Sequence, residues 1–200
     1  MIRSTSLPLT ILVAGLAGAG PLAAQTAKPP PSSADAKFMS GMIVHHEQAI
    51  LMAAWAPTHD ASPTLRSLCE KITVSQRDEI ALMLRWLTDH HLPVPDTSLA
   101  HAQAMPGMGA PMLMPGMLTA AELARLDSAR GPEFDRRFLE GMIRHHQGAI
   151  TMVQDLLNTP GAAQDPLIYQ YATDIDADQT VEIGLMTRML ATLPPAGGKP

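Results

Sequence analysis

Apolar positions recur at helical spacing along four long stretches, and none alternates with the two-residue period of a strand. The first stretch predicts a helix over roughly 35–56, stopped by Pro57. Ser62 and Pro63 open a second, which runs to about His91 ahead of Pro93. Thr119-Ala120-Ala121-Glu122 is a capping box for a short helix that ends near Gly131. A third long helix starts near Pro132 and ends before Pro160, and a fourth runs from Asp165-Pro166 to Pro194. Four long helices and a short one predict an all-α chain folded as an antiparallel four-helix bundle. The long connection between the second and third helices is enough to cross the bundle, as in ferritin-like folds.

The pattern also repeats. FMSGMIVHHEQAILMA (38–53) aligns with FLEGMIRHHQGAITMV (138–153) at an offset of 100, with 9 of 16 positions identical. At an offset of 103, Ile72, Gln76, Glu79, Ile80, Leu82 and Met83 match Ile175, Gln179, Glu182, Ile183, Leu185 and Met186. The bundle therefore reads as a duplicated helix pair over 35–193. Repeat one is 35–91, repeat two is 132–193, and a Met-rich loop with the short helix fills 92–131.

Helical geometry says where the polar residues point. At about 100° per residue, His45 and His46 fall on either side of Met42, inside the apolar stripe that also holds Met52. Met142, His145, His146 and Met152 repeat this. Glu79 with Met83, and Glu182 with Met186, lie on the inward stripes of the second and fourth helices. Up to four imidazoles and two carboxylates thus face a common interior, and buried charge is costly unless neutralised.

Composition narrows the chemistry. The 200 residues include 14 Met and 8 His but only 4% aromatics. Net charge is −5, without the basic stripe that binding to nucleic acid requires. A lone cysteine excludes an internal disulfide and a Cys-based zinc site. Cys69 reads as core packing, with an accessory Cu(I) thiolate as the alternative. His59 reads as a solvated turn residue, and His90 and His91 as caps of the second helix.

Residues 1–24 have the charged start, apolar core and small-residue end of a secretory signal. A Pro-rich linker over 25–34 and a disordered tail over 194–200 flank the bundle. The expected location is periplasmic or secreted, with membrane contact only during export. Residues 105–117, MPGMGAPMLMPGM, hold Met105, Met108, Met112, Met114 and Met117 among Gly and Pro. This segment reads as a sulfur-rich capture device, or as a loop laid over a groove of the bundle.

Three readings of the interior stay open. One is a metal-free polar core, with the bundle serving as a helical interaction module. A second is a soft-metal site for Cu(I), and for Ag(I), built from thioether and imidazole. A third is a di-iron or di-manganese carboxylate oxidase. The third lacks carboxylates: Leu82 and Leu185 stand where Glu-x-x-His would place a histidine, and Gln147 is the counterpart of Glu47. No nucleophile–base pair or phosphate loop favours an enzyme. The soft-metal reading makes the protein an agent of copper sequestration or handover, with copper-transport or resistance proteins as partners.

The segments FMSGMIVHHEQAILMA and MPGMLTAAELARLDSARGPEFDRRFLEGMIRHHQGAITMV resemble the bacterial family called domain of unknown function 305. The resemblance covers roughly 35–193 and implies a ferritin-like helical fold. Through copper-binding members of that family it also implies metal roles for Met42, His45, His46, Met52, Met142, His145, His146 and Met152. Glu79, Met83, Glu182, Met186 and the five loop methionines are secondary candidates.

Overall fold

In the computed structural model the described residues are 30–96 and 113–194. The signal-like segment, residues 25–29 of the Pro-rich linker, residues 195–200 of the tail, and Met105, Met108 and Met112 lie outside them. The described chain is all helical: α1 (Ser33–Ala54), α2 (Pro63–Asp89), α3 (Ala120–Ser128), α4 (Gly131–Leu157) and α5 (Pro166–Thr192), with a 3-10 turn at Ala56–Thr58.

Side-chain caps explain most of the starts. Ser32 and Asp35 form a capping box on α1, so Ser33 and Ala34, expected in the linker, are helix. Ser62 caps α2 and Asp165 caps α5, each followed by Pro in the first turn. Thr119 and Glu122 form the expected box on α3. The first helix ends two residues earlier than its pattern suggests, because the chain tightens into the 3-10 turn that contains Pro57.

The helices make a four-helix bundle of two hairpins, α1 with α2 and α4 with α5, joined mainly through α1 and α4. Two exchanged aspartates fix that central pair as antiparallel. Asp35, at the start of α1, accepts from the Ala163 backbone N–H beyond the end of α4 (2.7 Å). Asp135, at the start of α4, accepts from the Ser62 N–H beyond the end of α1 (3.1 Å). Both carboxylates are buried, and each closes the turn of the opposite hairpin.

The core divides into two apolar clusters. One includes Met52, Leu65, Cys69, Ile72, Phe138, Met142 and Met186. The other includes Phe38, Met42, Met83, Ile168, Ala172 and Ile175, with Met152 packed against it. Every residue named in one has its counterpart, at an offset of 100 or 103, in the other. Each half of the chain therefore supplies methionines to both clusters. No helix of the described residues is long and apolar enough to cross a membrane.

Candidate metal centre

His45, His46, His145 and His146 are all fully buried, as their helical phase requires. The rings of His45 and His145 meet at 3.8 Å between centroids, and those of His145 and His146 lie at 6.2 Å. His46 Nε2 donates to Glu79 Oε2 at 2.5 Å, and His146 Nε2 donates to Glu182 Oε2 at 2.6 Å. These two glutamates lie at the edge of the core, with about a fifth of each side chain exposed (18% and 22%). Each keeps one end in water and holds a buried imidazole with the other. His45 is held differently, donating from Nε2 to the Pro115 carbonyl at 2.9 Å.

The hydrogen-bond partners fix the tautomers. A carboxylate and a carbonyl oxygen accept, so His45, His46 and His146 carry a proton on Nε2, and burial leaves His45 neutral with a lone pair on Nδ1. None of those Nδ1 atoms has a partner, and neither ring nitrogen of His145 has one. Gln76, with both amide atoms, and Gln179, with its oxygen, complete the set of buried orphaned side-chain atoms among the described residues. Each such atom costs about 1–3 kcal/mol when left unmade. Eight of them would rival the whole stability of a domain of this size, about 5–15 kcal/mol. Five of the eight are ring nitrogens of the two histidine pairs.

Burial keeps two of these rings uncharged. Burial lowers His45 to about 3, outweighing the Pro115 carbonyl, which favours the charged form. Burial, and then the neighbouring His45, His146 and His46, push His145 well below the usual imidazole range. Both rings are neutral at pH 7 and present basic nitrogen rather than a cation. Outside the pairs, Asp178 is raised by burial and then by the nearby charges of Glu79 and Glu182, so a third carboxylate stands close to both.

A strap of chain over 113–118 crosses this centre. Gln48 grips it with two bonds, Nε2 to the Leu118 carbonyl (3.0 Å) and Oε1 from the Leu118 N–H (2.7 Å). Its counterpart Gly148 yields instead. A Cβ at Gly148 would stand 1.9 Å from the Pro115 carbonyl oxygen, so only glycine lets the strap lie on α4. Gly116, at φ +76°, makes the turn. The α3 helix beyond the strap is tied to α4 by Arg144, which donates to Glu122 at 2.7 Å and holds that carboxyl down to about 2.

Of the sequence-predicted residues, Met42, Met52, Met83, Met142 and Met186 are buried in the two apolar clusters, while Met152 is half-buried. Met117 is buried at the foot of the strap and Met114 is half-buried on it, so this end of the Met-rich segment lies on the bundle. Cys69 is core, and burial pushes its thiol up to about 12. His90 is the C-cap residue of α2, with its ring bonded to the Trp86 carbonyl. His59 is a correction. It is buried against Phe134 and Trp55 and donates from Nε2 to Asp127, because α3 docks over the turn that sequence treats as open. Sequence reasoning also passes over Asp35, Asp135, Gln48, Gly148 and Asp178.

No three His, Cys, Asp or Glu side chains among the described residues converge closely enough to hold a metal between them. The carboxylate di-metal arrangement is therefore not formed by those residues. Each inward glutamate is already engaged by a histidine.

The fold is shared with known proteins. A secreted protein of the family from Streptomyces coelicolor is 30% identical, covering 80% of this chain and 93% of its own, with a TM-score of 0.67. A fragment from Deinococcus radiodurans is 30% identical, covering 82% and 100%, with a TM-score of 0.68. CopM in its Cu(II)-bound form is 31% identical, covering 78% and 95%, with a TM-score of 0.60. Structures of CopM with Cu(I) and with Ag superpose similarly, with TM-scores of 0.59 and 0.58. An uncharacterized protein of Acanthamoeba polyphaga mimivirus is 45% identical over 56 residues, and the match spans about a third of that relative (35%). The model of the family described as Domain of unknown function (DUF305) matches residues 35–190, and the chain belongs to that family.

Proposed function

We propose that the protein binds Cu(I), and Ag(I) with it, for sequestration or handover outside the cytoplasm. The observation that carries this is the set of unpartnered ring nitrogens on four buried histidines. Three of those rings are oriented from behind, two by glutamates and one by a backbone carbonyl, as metal-binding imidazoles are. Methionine-bearing clusters lie among the packed residues of both halves, and thioether with neutral imidazole is the donor set of a soft cation. His45, His46, His145 and His146 supply nitrogen. Met42, Met52 and Met142 supply sulfur, with Met83 and Met186 in reserve, while half-buried Met152 reaches toward Met114 on the strap. Glu79 and Glu182 act behind the histidines rather than on the ion.

The likeness to CopM, solved with Cu(I), Cu(II) and Ag, supports the same reading. The secreted relative and the signal-like start support export, and copper-transport or resistance proteins are the partners that handover calls for. The Met-rich segment 105–117 would collect the ion. A competition titration of apo protein against a Cu(I) chelator tests this. Wild type should withdraw copper from the chelator. His45→Ala combined with His145→Ala should lose at least tenfold in affinity while helix content by circular dichroism stays near wild type. Absence of uptake by wild type would leave a metal-free helical module.

A further inference from the structure

The strongest feature outside the histidine centre is a cavity of about 480 Å³ between the start of α1, the end of α4 and the strap. Phe38, Leu113, Pro115 and Leu156 line it with apolar surface, and Lys37 and Asp155 stand among the lining residues. Two thioethers meet in it. A Cβ added to Gly41 would lie 3.3 Å from Met114 Sδ and 3.4 Å from the Met152 methyl, so both side chains reach the same point over a backbone kept bare. Both methionines are half-buried, which leaves them in contact with solvent.

The other half of the bundle shows what packing alone requires. There Gly141 is the counterpart of Gly41, and its bare Cα is covered by Leu118, 3.1 Å from the added Cβ. Met52, the counterpart of Met152, is fully buried. That face is sealed by a branched hydrocarbon. On the open face the strap instead offers an unbranched thioether beside a second one, and a cavity remains.

We propose that Met114 and Met152 form a peripheral site for a monovalent soft cation, Cu(I) or Ag(I), separate from the histidine centre. Thioether sulfur is a neutral, soft ligand that selects such ions over the hard divalent cations abundant outside a cell. The mostly apolar lining offers few competing oxygen ligands, and the site sits one residue from Pro115, whose carbonyl holds His45. An ion captured there lies at the surface end of the strap that covers the interior. This inference rests on the soft-metal reading above, and its test separates the two.

The experiment uses the mature chain with its methionine methyl groups labelled with carbon-13, titrated anaerobically with Ag(I). The Met114 and Met152 methyl signals should move together in the first half-equivalents. Met114→Leu with Met152→Leu should bind one ion fewer per chain than wild type, by equilibrium dialysis. Leucine keeps the bulk, and His45→Ala with His145→Ala should leave the paired methyl shift in place. Equal stoichiometry in wild type and the leucine variant, or Ag(I) that leaves both methyl signals unmoved, overturns the peripheral site alone. Failure of wild type to bind Ag(I) at all overturns the soft-metal reading with it.

Discussion

The two halves of the bundle carry the same His-His pair, the same Gln-x-x-Glu face and the same inward methionines, but one strap serves both. A single segment crossing between equivalent halves cannot treat them alike. On one side Gln48 grips the Leu118 backbone, and on the other Gly148 withdraws to let Pro115 pass. His45 therefore gains a carbonyl partner from the strap, while no strap group bonds His145. Leu118 seals Gly141, and Met114 leaves Gly41 open. The His–Glu pairs lie away from the strap and stay matched, at 2.5 and 2.6 Å. Duplicated residues thus keep their common chemistry where only helices surround them, and diverge where the connection touches them.

The largest expected effect concerns what the halves share. His45 and His145 are both held neutral by burial, so the unfolded chain takes up protons that the folded chain refuses. For a lowered histidine, stability is complete above the unfolded value near 6.5 and is lost as pH falls toward the folded one. Each ring should cost apo protein about 1–2 kcal/mol by pH 5.5. Urea melts between pH 7.5 and 5 measure this. His45→Phe and His145→Phe should each reduce the slope with pH by about one proton. An unchanged slope in either variant would show that its ring is already protonated or exposed.

The next effect is where the halves part. Gly148→Ala drives a Cβ into the Pro115 backbone, which cannot yield without moving the strap, and should cost about 2–3 kcal/mol. Gly41→Ala presses only on the flexible ends of Met114 and Met152 and should cost less than about 1 kcal/mol, offset by its gain in helix propensity. Denaturant midpoints of the two variants give the contrast. Equal costs would mean that the strap does not lie on α4 as described.

The sequence makes the shared parts legible and hides the divergent ones, for a physical reason. Helical periodicity fixes the azimuth of His45, His46, Glu79 and their counterparts, and caps such as Ser62-Pro63 fix where each helix begins. The grip of Gln48 on Leu118 spans 70 residues and joins a helix to a segment without any period. His59 reads as solvated because nothing local announces that Asp127 will dock over it. The exchanged pair Asp35 and Asp135 was within reach. Both sit three residues before the aligned blocks, at the same offset of 100, and extending the comparison upstream finds them.

The smallest effect removes one inward mismatch that the strap does not explain. Cys69 lies in one apolar cluster where Ala172 lies in the other. Its thiol is buried and pushed up to about 12, so it is neither a thiolate at pH 7 nor open to reagents. Cys69→Ala makes the halves alike and removes one sulfur from a packed site, for about 1 kcal/mol. Copper uptake should be unchanged, because the duplicated donors are complete without it. Alkylation by iodoacetamide should be slow in the native protein and should track global unfolding as urea is raised. A fast native reaction, or a variant that binds one Cu(I) fewer, would move Cys69 from packing to the ligand set and make the two halves chemically unequal at their core.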